Sequence, residues 1–531
     1  MDLYQARRSA FTLLLALLML LPSAVCALPE DTSLSLYEGE GMFQGGSLDG
    51  PQSPLPVSPA LSRARSTPEE QLYQDILAAM AQANVQQITY HQYGVDAVAS
   101  VIFVSLAGRG YADTNENCDA VYYLYARAVN SNPRYFYYVP NVLFSAASGY
   151  LEGLYMIVNA DIFDKRDVYE AELAAMLAEA LPDASGMCET EIVLAVHDYL
   201  VLHTRYDWDA FWSMYRYRDY PNAFSAYGAL IEKKAVCQGL SLAFMDMLSR
   251  LGIPCAIVPS YTLGHAWNLV YADGGWYHAD ITRAAPAVFN DPDGDSHLLG
   301  QVKHDLFLLS DAESRAAHGG GWTSSDGLPA APLPHADTAF WKDVDSGMFR
   351  IGAYWYYTDG RYDAALQRAA GSLQRTAFGA SRTPVHLFAN VSFPTRLQDT
   401  LYVYDYTANG LILYDAAGET RAFLPCAAPG EMGFGAIAPD GGTLIPAGYL
   451  YLADAGGGSR IFCRTDALGD VDATGGLDVR DALRCARGFS KAADALAFAR
   501  GDVNYDGALT DADAQLICRR ITGLLGSLPA F

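Results

Sequence analysis

Basic residues are scarce in this chain of 531: 35 Lys and Arg stand against 60 Asp and Glu, a formal net charge of −25 and a pI near 4.6. Such a surface repels polyanions, which excludes nucleic acid or an anionic bilayer as the main partner. Long apolar runs are missing too. Past the first 27 residues none reaches the roughly 18 that a spanning helix needs, so no membrane span is expected in the mature chain. Cys-x-x-Cys pairs do not occur, so neither a zinc ribbon nor a dense disulfide framework is expected. Material for packed cores is plentiful, at 51% apolar against 18% charged residues. The length suits roughly three or four domains.

Arg7 and Arg8 precede an apolar run from Ala10 to Leu21, and Ser23-Ala24-Val25-Cys26-Ala27 follows. A basic start, a short apolar stretch and a Val-x-Ala pattern predict a signal peptide over residues 1–27, cut after Ala27, and hence a secreted or cell-surface protein. Residues 28–68, with prolines at 29, 51, 54, 56, 59 and 68, are expected to form a disordered linker. Eight cysteines remain after cleavage. A working thiol among them would leave an odd number, so a complete disulfide pairing fails.

Apolar spacing predicts amphipathic helices over 71–82, 169–181 and 189–203. His197 and His203 share the last of these and are expected to be structural, with Asp198 and Arg205 solvating their face. Gly and Pro punctuation around 319–334 sets a boundary near 345. Residues 346–465 change character, with aromatic strand-like runs at 352–358, 399–405 and 447–453, each followed by a turn. Tyr354, Leu401 and Tyr449 lie 47 and 48 residues apart, a hairpin-array period. Three repeats are too few to close a propeller, so a β-rich module is expected.

Chemistry concentrates in residues 226–282. Cys237 stands before Gln-Gly and an apolar-periodic stretch from Leu240 to Leu251, which ends at Gly252 with Pro254 beyond. That predicts a helix with Cys237 at its N-terminus, where unpaired N–H groups favour the nucleophilic thiolate. Strands follow at 255–261, 265–271 and 276–280, the last two joined by a turn at Asp273-Gly274-Gly275. The hairpin should bring His265 and Asp280 close to side by side, so that the carboxylate orients the imidazole for proton transfer. A zinc site from Cys237, His265, His278 and Asp280 is disfavoured, because the ligands lack close spacing.

Val236-Cys237-Gln238-Gly239, His265-Ala266-Trp267-Asn268 and Trp276-Tyr277 with Asp280 and Thr282 resemble the signature of the transglutaminase-like superfamily, papain-like in fold. The resemblance extends over roughly residues 70–345 through Asn132–Phe136, His197–Leu200 with Tyr206-Asp207, and Phe307–Asp311 leading to His318 and Trp322. It implies a catalytic triad of Cys237 as nucleophile, His265 as general base and acid, and Asp280 as orienter. Arg283 stands where an aromatic residue often follows in the family, which bears on substrate preference. The resemblance also leaves open which nucleophile, water or an amine, resolves the thioacyl intermediate.

Two twelve-residue segments near the C-terminus, 470–481 (DVDATGGLDVRD) and 502–513 (DVNYDGALTDAD), start 32 residues apart. In the second, Asp502, Asn504, Asp506, Thr510 and Asp513 fall at positions 1, 3, 5, 9 and 12 of a calcium loop, with Gly507 at the turn and the Ala508 carbonyl at position 7. The first offers Asp470, Asp472, Thr474, the Gly476 carbonyl, Asp478 and Asp481. Thr474 replaces a carboxylate there, which weakens the site. Each loop should open a helix, at 482–487 and 514–524. Paired loops entered through Gly-Asp, each with one following helix, are similar to a type I dockerin, which implies two Ca2+ ions and a cohesin module on a scaffolding protein as partner. Positions 10 and 11, Val479-Arg480 and Asp511-Ala512, depart from the family's common Ser/Thr pair.

The expected fold class is therefore α+β: a papain-like transglutaminase core over 69–345, a β-rich repeat module over 346–465, and a small all-α paired calcium-loop (dockerin) domain over 466–531. The expected function is a secreted thiol enzyme that hydrolyses peptide or side-chain amides and is anchored by its tail to a cellulosome-like scaffold. The alternatives are a protein cross-linking transamidase and a catalytically inactive peptide-binding relative.

Overall fold

The computed structural model describes residues 33–37, 67–92, 95–213, 220–260, 263–285, 300–319, 339–363, 368–379, 383–425, 432–435, 449–454, 459–463, 467–489, 494–526 and 528. The expected signal peptide, most of the expected linker, Trp322 and the 455–458 turn lie outside them. The fold mixes α and β, and the chain divides into two compact units, residues 1–167 and 168–531. That division falls inside the stretch read from the sequence as one catalytic domain.

The first unit holds an antiparallel sheet of β1 (Ser33–Tyr37), β2 (Gln86–Gln92), β3 (Val95–Ser105), β4 (Tyr138–Ala147) and β5 (Tyr150–Val158), in the order β1-β4-β5-β3-β2. β1 corrects the expectation of an unbroken disordered linker. Its Ser-Leu-Ser-Leu-Tyr alternation has the period of a strand, and it pairs with β4, Ser33 opposite Ala146. Helices α1 (Pro68–Gln82) and α2 (Asn115–Asn130) start at Thr67 and Thr114, whose hydroxyls accept the backbone N–H groups of Glu70 and Asn117. α1 buries Leu72, Tyr73, Ile76 and Met80 along one stripe.

In the second unit, helix α3 (Glu189–His203) does not have the amphipathic character expected of it: every residue from Val193 to Leu202 is buried. Asp198 is therefore not a solvating group but a core residue, 1% exposed. A short parallel pair, β6 (Arg205–Tyr206) with β7 (Lys234–Ala235), leads on one side into α4 (Trp208–Trp212) and on the other into α5 (Cys237–Arg250). An antiparallel sheet follows, β11-β10-β9-β8, from β8 (Cys255–Ser260), β9 (His265–Ala272), β10 (Gly275–Ala279) and β11 (Phe307–Leu309). Between β10 and β11 comes α6 (Ile281–Ala284), and after β11 comes α7 (Asp311–His318).

The β-rich stretch forms one sheet of nine strands. Its main path is β12 (Phe349–Ile351), β13 (Tyr354–Thr358), β15 (Arg368–Ala377), β16 (Val385–Val391), β18 (Thr400–Asp405), β19 (Gly410–Asp415) and β20 (Thr420–Pro425). β14 (Arg361–Asp363) pairs with β15, and β17 (Thr395–Leu397) with β18. Strands β21 (Met432–Gly435), β22 (Tyr449–Asp454) and β23 (Ser459–Cys463) make a separate sheet of three. The 47-residue period is thus no blade repeat, since two of its strands share one sheet and the third belongs to another.

The tail folds as α8 (Val479–Arg487), α9 (Ala495–Gly501) and α10 (Asp511–Ile521). α8 and α10 begin three residues earlier than expected because Asp478 and Thr510 cap them in capping boxes with Asp481 and Asp513. Leu468, Val471, Cys485, Val503, Tyr505 and Ile517 share one apolar cluster with Tyr402, Tyr404, Leu411 and Leu413 of the large sheet. Phe462 bridges the two, 5.4 Å from the Tyr402 ring and 5.1 Å from Tyr505.

Candidate active site

Residues Ala223 to Gly239 explain how the chain places the sulfur. Val236 caps the start of α5 in an extended conformation and donates its N–H to the Ala223 carbonyl, 3.0 Å away. Gly239 sits where a Cβ would lie 2.5 Å from the Ala223 oxygen and 2.8 Å from the Ala235 Cβ. A glycine is what lets the first turn of α5 approach this bend, and the helix begins at Cys237 as the sequence predicts. β9 is then tied to α5 from its own side: Asn268 Nδ2 donates to the Ser241 carbonyl at 3.0 Å, and Ser241 Oγ to the Ala266 carbonyl at 3.3 Å. These bonds carry His265 to the helix start, where its imidazole hydrogen-bonds the Cys237 side chain.

Asp280 arrives differently from the expected hairpin pairing. The β9–β10 turn is a two-residue loop, with Asp273 and Gly274 both at positive φ and Ala272 opposite Gly275. That register ends with Ala279 opposite Asn268, so Asp280 lies past the ladder instead of across from His265. It is the N-cap of α6, Oδ1 accepting the Arg283 N–H at 3.1 Å. Oδ2 points back to His265 Nε2 at 2.9 Å. The three residues named from the sequence therefore form one continuous line of hydrogen bonds, Cys237–His265–Asp280.

The electrostatics of this line follow from its burial. Asp280 is 1% exposed, which favours its neutral form, yet the two imidazoles at its oxygen outweigh burial and hold it ionised, below the usual carboxylate range. Burial also disfavours a charged His265, but Asp280 and the Cys237 side chain prevail and push its pKa up to about 10. An imidazolium bonded to a sulfur is the arrangement that stabilises a thiolate. At three other cysteines burial is the dominant influence. Burial raises Cys118 to about 11, and Cys188 and Cys485 to about 12. No disulfide joins the described cysteines.

Family comparison locates the same region. The model of the Transglutaminase-like superfamily matches residues 176–281. The chain carries a transglutaminase-like domain. It is 28% identical over 145 residues to the Kyphoscoliosis peptidase of Homo sapiens and 26% over 147 residues to that of Mus musculus. Each match takes in 24% of this chain and 21% of the relative, so the chain spans about a fifth of the relatives' length. A solved structure described as "Crystal structure of a TGase" is 20% identical and covers 27% of this chain and 44% of that one, with a TM-score of 0.21.

Several groups around the transglutaminase-like site had no part in holding the triad assigned to them from the sequence. His318, at the end of α7, donates from Nε2 to the same Asp280 oxygen at 2.8 Å. His278 is held between the Trp267 indole N–H, 3.0 Å from Nδ1, and Asp311, 2.9 Å from Nε2. Both of its ring nitrogens are taken up by these partners. α7 reaches the site through a one-residue bulge: β11 pairs Leu309 with His278 and Phe307 with Ala279, leaving Leu308 unpaired at φ 56°. Tyr206 pairs with Ala235, two residues before Cys237, and Trp208 follows it at the start of α4; its shielded indole N–H has no partner among the described residues.

In the first tail loop the carboxylate oxygens of Asp470, Asp472 and Asp481 lie within 4.8 Å of one another, a donor set that fits an oxygen-seeking cation. Asp478 turns instead to Arg480 at 2.6 Å, and Thr474 Oγ1 donates to Asp472 at 2.8 Å. The second loop, cleaner in sequence, gathers no such trio among the described residues. Asn504 replaces a carboxylate and bonds Asp506 at 2.9 Å; Gly507 N–H caps Asp502 at 3.0 Å; Thr510 N–H bonds Asp513 at 2.9 Å.

Proposed function

We propose that this chain is a secreted thiol amidohydrolase of the transglutaminase-like type, acting on peptide or side-chain amides. The observation that carries the reading is the line Cys237–His265–Asp280, built on a helix start. The thiolate attacks the amide carbonyl and a C–S bond forms while the developing oxyanion meets the Cys237 backbone N–H, with the Trp208 indole N–H as second donor. His265 gives its proton to the departing nitrogen as the C–N bond breaks. Water, deprotonated by His265, then splits the thioester and returns the sulfur. Asp280 keeps the imidazole oriented throughout. The relatives' printed name, a peptidase, supports hydrolysis over cross-linking.

One observation favours the non-catalytic reading: Cys237 is 2% exposed, and the His265 side chain that bonds it 12%. A screen of peptide and glutamine-type amides, with and without added primary amine, decides. Release of free acid that is insensitive to amine supports hydrolysis, amine incorporation supports a transamidase, and binding without turnover supports a peptide-recognition domain.

The tail, in this reading, is a calcium-dependent dockerin that holds the enzyme on a scaffold protein's cohesin. Asp470, Asp472, Thr474, Asp478, Asp481 and the Gly476 carbonyl would hold one ion; Asp502, Asn504, Asp506, Thr510, Asp513 and the Ala508 carbonyl the other. Because ligand carboxylates repel one another without the ion, chelation of the full chain should loosen the tail. Fluorescence of the Tyr402–Phe462–Tyr505 cluster and limited proteolysis at 466–526 should both report it, and capture by a cohesin panel should be lost. Capture that survives chelator rejects calcium-dependent docking.

A further inference from the structure

We propose that His318 is a positioning residue of the thiol site, which takes the second share of the Asp280 Oδ2 oxygen and so fixes how that carboxylate presents itself to His265. The inference rests on the thiol-enzyme reading and adds to it a residue that does not touch the substrate.

Three donors hold Asp280. Arg283 N–H caps Oδ1, and His265 and His318 both bond Oδ2, at 2.9 and 2.8 Å. A carboxylate can only accept, so the Nε2 of each imidazole carries a proton. His318 is itself fixed. It is 4% exposed and stacks on Trp267 with ring centroids 4.4 Å apart and planes 6° from parallel. Its Nδ1 lies 3.3 Å from Ser314 Oγ and 3.1 Å from the Ser314 carbonyl, one turn back on α7. The hydroxyl can donate to a neutral ring and the carbonyl can accept from a charged one, so the bond to Asp280 persists in either state.

A core histidine packed for volume alone would not share its partner's oxygen with the imidazole that serves the nucleophile. Here Trp267, next but one to His265 in the chain, provides the platform under His318, and the ring planes of His265 and His318 differ by 24°. Removing the His318 donor leaves a buried lone pair on Oδ2 uncompensated and makes Asp280 easier to protonate. Asp280 then loses its hold on His265 at a higher pH than before. Other charged groups near this cluster are Arg283 on α6, 3.7 Å from Oδ2, and His278 with Asp311 beyond Trp267.

The test is the rate of Cys237 alkylation by iodoacetamide against pH on the full chain, read by peptide mapping, in wild type, His318→Phe and His318→Gln. A charge-assisted hydrogen bond lost from Asp280 should raise the acid limb of the profile by about one pH unit, roughly tenfold in rate at a fixed pH below it. Gln, whose Nε2 can replace the lost donor, should restore most of that shift. If Phe leaves the limb where wild type has it, or if Phe and Gln move it equally, His318 is structural and the proposal is overturned. Failure of the underlying reading has a different signature: wild-type Cys237 itself would react no faster than a model thiol at any pH.

Discussion

Replacing Cys237 by alanine should abolish amide turnover, a fall of roughly ten-thousand-fold or more, since removing the nucleophile of a coupled triad forfeits the whole covalent route. The fold should survive, because alanine is smaller than cysteine and fits the start of α5 without clash. The wild-type protein offers an independent check. Cys518, on α10 of the tail, is free and exposed, so it serves as an internal reference thiol. Near pH 6, iodoacetamide should label Cys237 well ahead of Cys518, while Cys118, Cys188 and Cys485, pushed up by burial, stay unlabelled. The advantage depends on His265 remaining an imidazolium. His265 has a raised pKa, so its positive charge is complete below its ordinary value of 6.5 and is lost as pH climbs through about 10. Above that, Cys237 and Cys518 should converge. Equal labelling at pH 6 would remove the basis for a thiol enzyme.

Asp198→Ala should be the most destabilising single substitution in the second unit that leaves the sulfur untouched. Asp198 Oδ1 accepts from His197 Nδ1 at 2.7 Å and His304 Nε2 at 2.9 Å, and Oδ2 from the Met348 N–H at 2.7 Å. His304 Nδ1 is 2.7 Å from the Val344 carbonyl, an acceptor only, so both ring nitrogens donate and the ring is a buried cation. The spacings of 2.7 and 2.9 Å are those of hydrogen bonds and are shorter than two ligands on one zinc ion would stand apart, about 3.3 Å for tetrahedral bonds. The pair joins α3, the segment before β11 and the entry to β12. Removing the anion strands His304, at a cost of ~3–5 kcal/mol, a drop in Tm on the order of 10 °C.

The pH dependence has a definite sign. Burial opposes both charges, yet each partner prevails: His304 is raised and Asp198 lowered. The share from Asp198 is present above its unfolded value and fades as pH falls through its depressed one. The share from His304 is complete below 6.5 and fades as pH rises through its raised value. The difference in Tm between wild type and Asp198→Ala should therefore peak in mildly acidic solution and shrink on either side. Replacing both Asp198 and His304 by leucine should cost less than the single change. A single variant as stable as wild type would show that the pair contributes nothing.

Local chemistry was readable in the amino-acid order alone. Val-Cys-Gln-Gly before an apolar-periodic stretch dictates a helix that begins at the cysteine, and Asp-Gly between two strand patterns dictates a hairpin that returns the chain toward His265. Both are short-range effects of backbone preference, and the structure has both. The 3.6 and 2.0 periodicities likewise located α1, α5 and the aromatic strands. The turn's register was one residue off, because Asp-Gly-Gly permits more than one tight turn; as a result Asp280 acts as a helix cap instead of a cross-strand partner. Burial of a charge is what sequence could not reveal. Asp198, on a helix read as half-solvated, is enclosed because strands and turns from residues 304 and 344–348 close over it. His318, 38 residues beyond Asp280, meets it only because a bulge at Leu308 turns α7 inward. Contacts between distant segments depend on how the elements pack, and packing is decided by the whole fold at once; a window of sequence holds the propensities of its residues but not the identity of what will cover them.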